Sequence, residues 1–234
     1  MPIASSAEVM RAPAEGIRGS VESDRPPYSQ KLSFAKGRTV FTDGDPAKRI
    51  FEVLNGTLIV FKLLSDGRRQ IFEIVPAGWL CGFAKGDVYD GAYETLTPAT
   101  VMTYSRAELE ASDPARSRLL HQAEAQFCAL HDLSMALGRK RAHEKLATFL
   151  MRFVPRRGDA HCPGPKRPKD DVLLRIPLSR AEIADHLGLT LETVSRELSA
   201  LAREGLIKVG PGRGEIRIND VCQLCAVART GHNE

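Results

Sequence analysis

Residues 179 to 204, SRAEIADHLGLTLETVSRELSALARE, constrain the fold more than any other stretch of this chain. Ser179 followed three residues later by Glu182 predicts a helix start closed by a reciprocal capping box. Ala184, Gly188 and Val194 then fall where two helices must meet at a tight turn. A small residue admits close approach, glycine permits the left-handed turn, and an apolar residue locks the second helix onto the first. Ile183, Leu187, Leu189, Val194 and Leu198 form the predicted internal face. The second helix then presents Thr190, Glu192, Thr193, Ser195 and Arg196 outward.

Those outward groups suit a major groove, where Arg bonds a guanine edge bidentately and Glu accepts from a cytosine amine. The competing reading is a surface ion pair between Glu192 and Arg196, four residues apart on one helix. Downstream, Gly205 to Val209 and Glu215 to Ile218 flank Gly210-Pro211-Gly212-Arg213-Gly214, so two short strands and a glycine-rich turn predict a wing. Lys208 and Arg213 on the wing, with Ser179, Arg180, Thr190 and Thr193 on the helices, are the expected phosphate contacts, which add affinity but no sequence information. The charge distribution agrees. Residues 139 to 234 carry 18 Lys+Arg against 12 Asp+Glu, whereas residues 1 to 138 carry 15 against 17. A basic C-terminal part points to a polyanionic partner for that part alone.

Upstream, residues 1 to 30 are rich in Ser, Ala, Glu, Arg and Pro and predict a flexible tail. From Leu32 to Ser105 short apolar runs alternate with turn signals. Asn55-Gly56 and Asp66-Gly67 stand between β-branched and aromatic runs, the pattern of β-hairpins. Strands broken every ten or so residues predict an antiparallel roll over residues 31 to 108. At Asp113-Pro114 the period changes. Leu119, Ala123, Gln126, Leu130, Leu133 and Leu137 step by four and three, the seam of a coiled coil, and Phe127 lies in a parallel row with Leu120, Ala123, Leu130, Ser134 and Leu137. Ser112 or Asp113 is the expected N-cap, with Pro114 at the first helical position. A helix from Pro114 to Leu137 is about 36 Å long, more than one small roll covers. We therefore expect a dimerisation helix over residues 109 to 137, interrupted at Gly138. Leu146, Phe149, Leu150 and Phe153 form the apolar face of a further helix, and Pro155 to Asp170 reads as a linker. The last domain, residues 138 to 234, is the winged helix-turn-helix.

A roll, a long helix and a winged helix-turn-helix in that order give an α+β chain that resembles the CRP/FNR superfamily of bacterial transcription regulators. In the roll the resemblance rests on Gly37, Val40, Phe41, Gly44-Asp45-Pro46-Ala47, Val53, Gly56 and Asp66-Gly67-Arg68, and in the C-terminal domain on Leu178 to Leu198. Glu192-Thr193-Val194-Ser195-Arg196 is similar to the E-x-x-S-R signature of the FNR and FixK branches. The resemblance implies a cyclic-nucleotide-binding-like jelly roll and a homodimer. It also implies recognition of a TTGAT/ATCAA-type palindrome through base contacts from Glu192, Ser195 and Arg196. RNA polymerase is the further partner it implies, with promoter activation as the outcome.

The superfamily's sensors are weighed against the residues. An FNR-type iron–sulfur cluster needs clustered N-terminal cysteines, and no cysteine precedes Cys81. Cyclic nucleotides need a Gly-Glu pair and an Arg-Ser pair late in the roll. The corresponding stretches read Gly82-Phe83-Ala84-Lys85-Gly86 and Ala92-Tyr93-Glu94-Thr95, without Arg and with a carboxylate that repels phosphate. No cofactor is expected, and loss of both sensors fits the FixK branch, whose members act on low-oxygen, denitrification or nitrogen-fixation genes. Five scattered cysteines exclude a disulfide framework. No apolar run approaches the ~20 residues of a membrane span, and no secretory signal opens the chain, so a cytoplasmic protein is expected. No nucleophile elbow, phosphate loop or dinucleotide fingerprint supports catalysis.

Two alternatives stand beside this reading: an effector-dependent sensor of the same fold (haem, nitric oxide or a small organic ligand), and a thiol redox protein using Cys222 and Cys225. The one-turn spacing of that pair fits core packing better than metal binding. Cys128 is expected to be buried and inert, His186 near phosphate or exposed, and His161-Cys162 without a role.

Overall fold

A computed structural model describes residues 29–84, 86–155 and 171–229. The tail and linker expectations fall almost entirely outside the described residues, as do His161, Cys162 and His232. The chain divides into two compact units, with the division between Leu130 and His131.

In the first unit, eight strands form two antiparallel four-stranded sheets: β1 (Gln30–Phe34), β2 (Thr39–Phe41), β3 (Arg49–Asn55), β4 (Thr57–Leu63), β5 (Arg69–Pro76), β6 (Leu80–Cys81), β7 (Ala92–Thr95) and β8 (Ala99–Ser105). One sheet runs β1-β8-β3-β6 and the other β2-β7-β4-β5. Asp66-Gly67 turns a hairpin as expected. β4 pairs with β5 from Thr57–Pro76 to Leu63–Arg69, and Gly67 sits at φ 83°. Asn55-Gly56 does not. β3 and β4 belong to different sheets, so this dipeptide makes a corner between them. Gly56, at φ 87°, is required there because a Cβ would run into the Pro98 carbonyl and Ala99. The signal for positive φ was real; the pairing partner lay elsewhere.

Helix α1 (Arg106–Ala111), not foreseen, follows β8, and α2 (Asp113–Arg139) starts after Ser112. The Ser112 carbonyl accepts from Arg116 N–H, which puts Asp113 at the first helical position and Pro114 at the second. α2 ends at Arg139, one residue past Gly138, with Lys140 N–H bonding the Ala136 carbonyl in its last turn.

In the roll's unit, α2 is fastened by polar side chains. The Gln122 amide accepts from Leu80 N–H at 2.6 Å and donates to the Gly78 carbonyl, while Gln126 donates to the Leu80 carbonyl at 3.0 Å. Buried Glu52 accepts from Tyr104 O–H at 2.6 Å and pairs with Arg118 at 2.5 Å. Leu119 packs with Ile50, Leu80, Met102, Tyr104 and Leu109. These contacts correct the expected seam. Leu119 and Gln126 face their own roll, Leu133 is covered by its own chain, and Leu137 is half-buried. The exposed apolar row is Leu120, Phe127 and Leu130, at 59%, 60% and 40% exposure. The exposed stripe runs along the parallel row.

The second unit holds the end of α2, α3 (Ala142–Met151), α4 (Arg180–Leu187), α5 (Leu191–Arg203), α6 (Val221–Arg229) and a three-stranded sheet ordered β10-β11-β9. Its strands are β9 (Val172–Arg175), β10 (Ile207–Val209) and β11 (Glu215–Ile218). The wing is therefore a three-stranded sheet, because β9 pairs with β11 from Glu215–Arg175 to Ile218–Val172. Leu146, Phe149, Leu150 and Phe153 are buried as predicted.

Candidate nucleic-acid interface

Local chemistry builds α4 and α5 in the expected way. Ser179 Oγ accepts from Glu182 N–H, and the Glu182 carboxylate accepts from Ser179 N–H at 2.6 Å. Gly188 closes α4 in the left-handed region at φ 61°, and Leu189 N–H returns to the Ala184 carbonyl. Thr190 Oγ1 caps α5 by accepting from Thr193 N–H at 3.1 Å. Caps of this kind contribute about 1 kcal/mol each. Val194, Leu198 and Leu201 bury one side of α5.

Opposite that side, Glu192 and Arg196 are exposed and Ser195 is half-buried. Glu192 and Arg196 do not pair with each other. Arg196 Nε instead lies 3.4 Å from Glu197 Oε1, with two-thirds of its side chain in solvent, and Glu192 has no side-chain partner among the described residues. Arg180 Nη1 reaches Ser195 Oγ at 3.4 Å, so the first helix of the motif supplies a cation beside the second. Lys208 and Arg213 are exposed on the wing. Gly214, at φ 67°, must be glycine, because a Cβ would overlap the Ile176 carbonyl, and the Gly214 carbonyl accepts from Ile176 N–H at 2.8 Å. Ser179 and Thr190 accept backbone N–H bonds at their hydroxyls, and Thr190 and Thr193 share one hydroxyl–hydroxyl bond at 3.0 Å, so Ser179 and one of the two threonines keep an O–H to donate.

Sequence reasoning missed Leu191, which is 46% exposed at the start of α5. An apolar residue held in water beside base-reading groups is the kind that meets a thymine methyl. The displayed signal was simply its place outside the buried period. His186 is corrected: it is 1% exposed, its Nε2 lies 3.1 Å from Arg152 Nη1 and its ring meets Phe149 at 5.7 Å. The ring nitrogen facing a guanidinium accepts, so it belongs to the core and does not meet phosphate. Cys128 is also corrected, being exposed on α2, while Cys222 and Cys225 are half-buried on α6. Among the described residues no group of three His, Cys, Asp or Glu could hold a metal.

Inside the roll, Phe41 stacks on Tyr89 at 3.7 Å and meets Tyr93 at 4.2 Å and Phe51 at 5.1 Å. Tyr89 O–H donates to the Arg49 carbonyl at 2.8 Å. Burial pushes the Tyr89, Tyr93 and Cys81 groups up from their ordinary pKa values. A Cβ on Gly82 would already crowd Arg49, Phe51 and Tyr89. The segment that the resemblance assigns to a cyclic phosphodiester has no Arg to meet a phosphate, and its Glu94 repels one. These residues do not fit a cyclic nucleotide.

The C-terminal part matches the Crp-like helix-turn-helix domain over residues 144–227, and residues 31–111 match the cyclic nucleotide-binding domain. The nitrogen fixation regulation protein FixK of Bradyrhizobium diazoefficiens is 34% identical over 205 residues, covering 85% of this chain and 82% of its own. This chain belongs to the CRP/FNR family of transcription regulators. FixK of Rhizobium meliloti is 32% identical over 182 residues, covering 77% and 79% of the two chains. The solved structure of FixK2 from Bradyrhizobium japonicum superposes with a TM-score of 0.73 at 30% identity, covering 85% of this chain and 96% of that one. The chain is a DNA-binding regulator and not an enzyme, its fold is that of the family, and no helix among the described residues is long and apolar enough to cross a membrane.

Proposed function

We propose that the chain acts in the cytoplasm as a homodimer that binds TTGAT/ATCAA-type palindromes and activates transcription without a bound effector. The carrying observation is the solvent-facing side of α5, where Glu192 and Arg196 are displayed and not paired with each other. Arg196 and Glu192 supply the donor and acceptor for a guanine and a cytosine edge, Ser195 adds a short polar contact, and Leu191 meets a thymine methyl. Arg180, Lys208 and Arg213, with the hydroxyls of Ser179, Thr190 and Thr193, hold the phosphates and set register. Leu120, Ala123, Phe127 and Leu130 form the two-fold seam, placing two copies of α5 about one helical turn of DNA apart, ~34 Å. RNA polymerase is the partner at the promoter. The FixK relatives are named for nitrogen fixation, so the genes proposed are of the low-oxygen, denitrification or nitrogen-fixation kind. A DNase footprint on such a palindrome tests the reading. Protection centred on the dyad over about two turns of duplex is expected, and protection spread evenly along the fragment would refute sequence reading.

A further inference from the structure

Helix α3 meets the recognition helix through one titratable side chain. His143 Nδ1 lies 3.1 Å from Glu197 Oε2, and its Nε2 lies 3.2 Å from Glu204 Oε2. Glu197 lies in α5 and Glu204 is its C-cap, about two turns on, so the two carboxylates reach the ring from different turns. The other oxygen of Glu197 is the one beside Arg196, 3.4 Å from its Nε. A neutral imidazole carries one N–H and one lone pair, so it satisfies one carboxylate and turns a lone pair on the other. Only the imidazolium donates to both. The first-turn position of His143 in α3 opposes a cation, but a fractional charge spread over a helix end is weaker than two full carboxylates in hydrogen-bond contact.

We propose that His143 is a positioning residue for Arg196: as an imidazolium it holds Glu197 towards α3 and leaves the Arg196 guanidinium available to a base edge. Without that donor, the charge of Glu197 falls on Arg196, which lies beside its other oxygen. The recognition face then carries a more negative, self-paired side chain, and selective binding weakens. The proposal rests on the base-reading role of Arg196 given above.

The charged groups facing His143 from α5 are Glu197 and Glu204, with Arg196 one contact beyond. On its own side of the motif, Glu144 is bonded to Arg141 N–H and Lys140 to Thr148 and the Ala228 carbonyl. Helix α6 packs against α3 as well, and among the described residues its titratable groups, Cys222, Cys225 and Arg229, make no hydrogen bond or ion pair with the ring. Glu197 is 14% exposed and His143 27%, so salt screens the contact only in part.

The test measures the affinity ratio of the full chain for the palindrome over a scrambled duplex. Loss of the His143 contact should lower the ratio about tenfold or more, the scale of one lost hydrogen bond to a charged group. His143→Gln, which is uncharged, should show the low ratio, and His143→Lys, a permanent cation with several donors, should keep the high one. Both variants are first shown to melt cooperatively. An unchanged ratio in His143→Gln, or equal loss in the Gln and Lys variants, would overturn the positioning role while leaving DNA reading intact. Absence of selectivity in the unaltered protein would overturn both.

Discussion

The roll and the helix-turn-helix handle their functional chemistry in opposite directions. In the roll, groups that could recognise a ligand are spent on one another: Phe41 on Tyr89 and Tyr93, Tyr89 on the Arg49 backbone, Glu52 on Tyr104 and Arg118. On α5 the corresponding groups are held out in solvent, with their hydroxyl neighbours used only to fix the helix start. An interior whose aromatic side chains pack on one another is a scaffold, and a surface whose long polar side chains are left exposed is a reader. The same family fold thus carries a first domain with an aromatic cluster packed on itself and a second that holds a polar helix face in solvent.

Four changes break or sharpen that contrast. Tyr89→Ala empties the roll and removes the bond to Arg49, so it should cost about 3–5 kcal/mol of stability, read by denaturant melting. Its selectivity for DNA should persist below the melting range, and loss of selectivity there would show that the roll controls the reader. Leu130→Glu places like charges across the proposed seam, and sedimentation should show a monomer with palindrome affinity reduced by about 3 kcal/mol or more, the cost of burying unpaired charge. An undisturbed dimer would displace the seam from this face. Arg196→Ala should cost about 1–3 kcal/mol on the palindrome and little on scrambled DNA; equal losses on both would reduce Arg196 to a phosphate contact. The smallest effect concerns Cys81, whose thiol burial pushes well up. Its folded value lies above the unfolded one, so its contribution is complete at neutral pH and is lost as alkaline pH ionises the unfolded thiol, from about pH 8.5 upward. Cys81→Ala should lessen that alkaline loss of stability, and thiol titration of the native chain should label exposed Cys128 before Cys81.

What was legible in the chain follows from the range of the interactions. The capping box at Ser179 and Glu182 and the left-handed Gly188 are settled by neighbours a few residues away, and their residues announce them. Features set by distant partners were not readable in the same way. Asn55-Gly56 has the local chemistry of a hairpin, yet Pro98 and Ala99 make it a corner. Gln126 fits a heptad but is claimed by the Leu80 backbone, which moves the exposed stripe to Leu120, Phe127 and Leu130. His186 lies at a buried helical position whose meaning depends on Arg152, thirty-four residues away. The contact between His143 and the far turn of α5 had no sequence signature at all, because two helices must pack before the ring meets either carboxylate.

The central claim is that the exposed face of α5 reads sequence without a small-molecule effector. Fluorescence anisotropy of the purified, ligand-free chain on a TTGAT-N4-ATCAA duplex and on a scrambled duplex, at ionic strength near about 0.15 M, tests it most directly, because basic proteins bind any DNA when salt is low. Binding about a thousandfold tighter to the palindrome, the lower end of specific recognition, is the predicted result. Equal affinity for the two duplexes would contradict it.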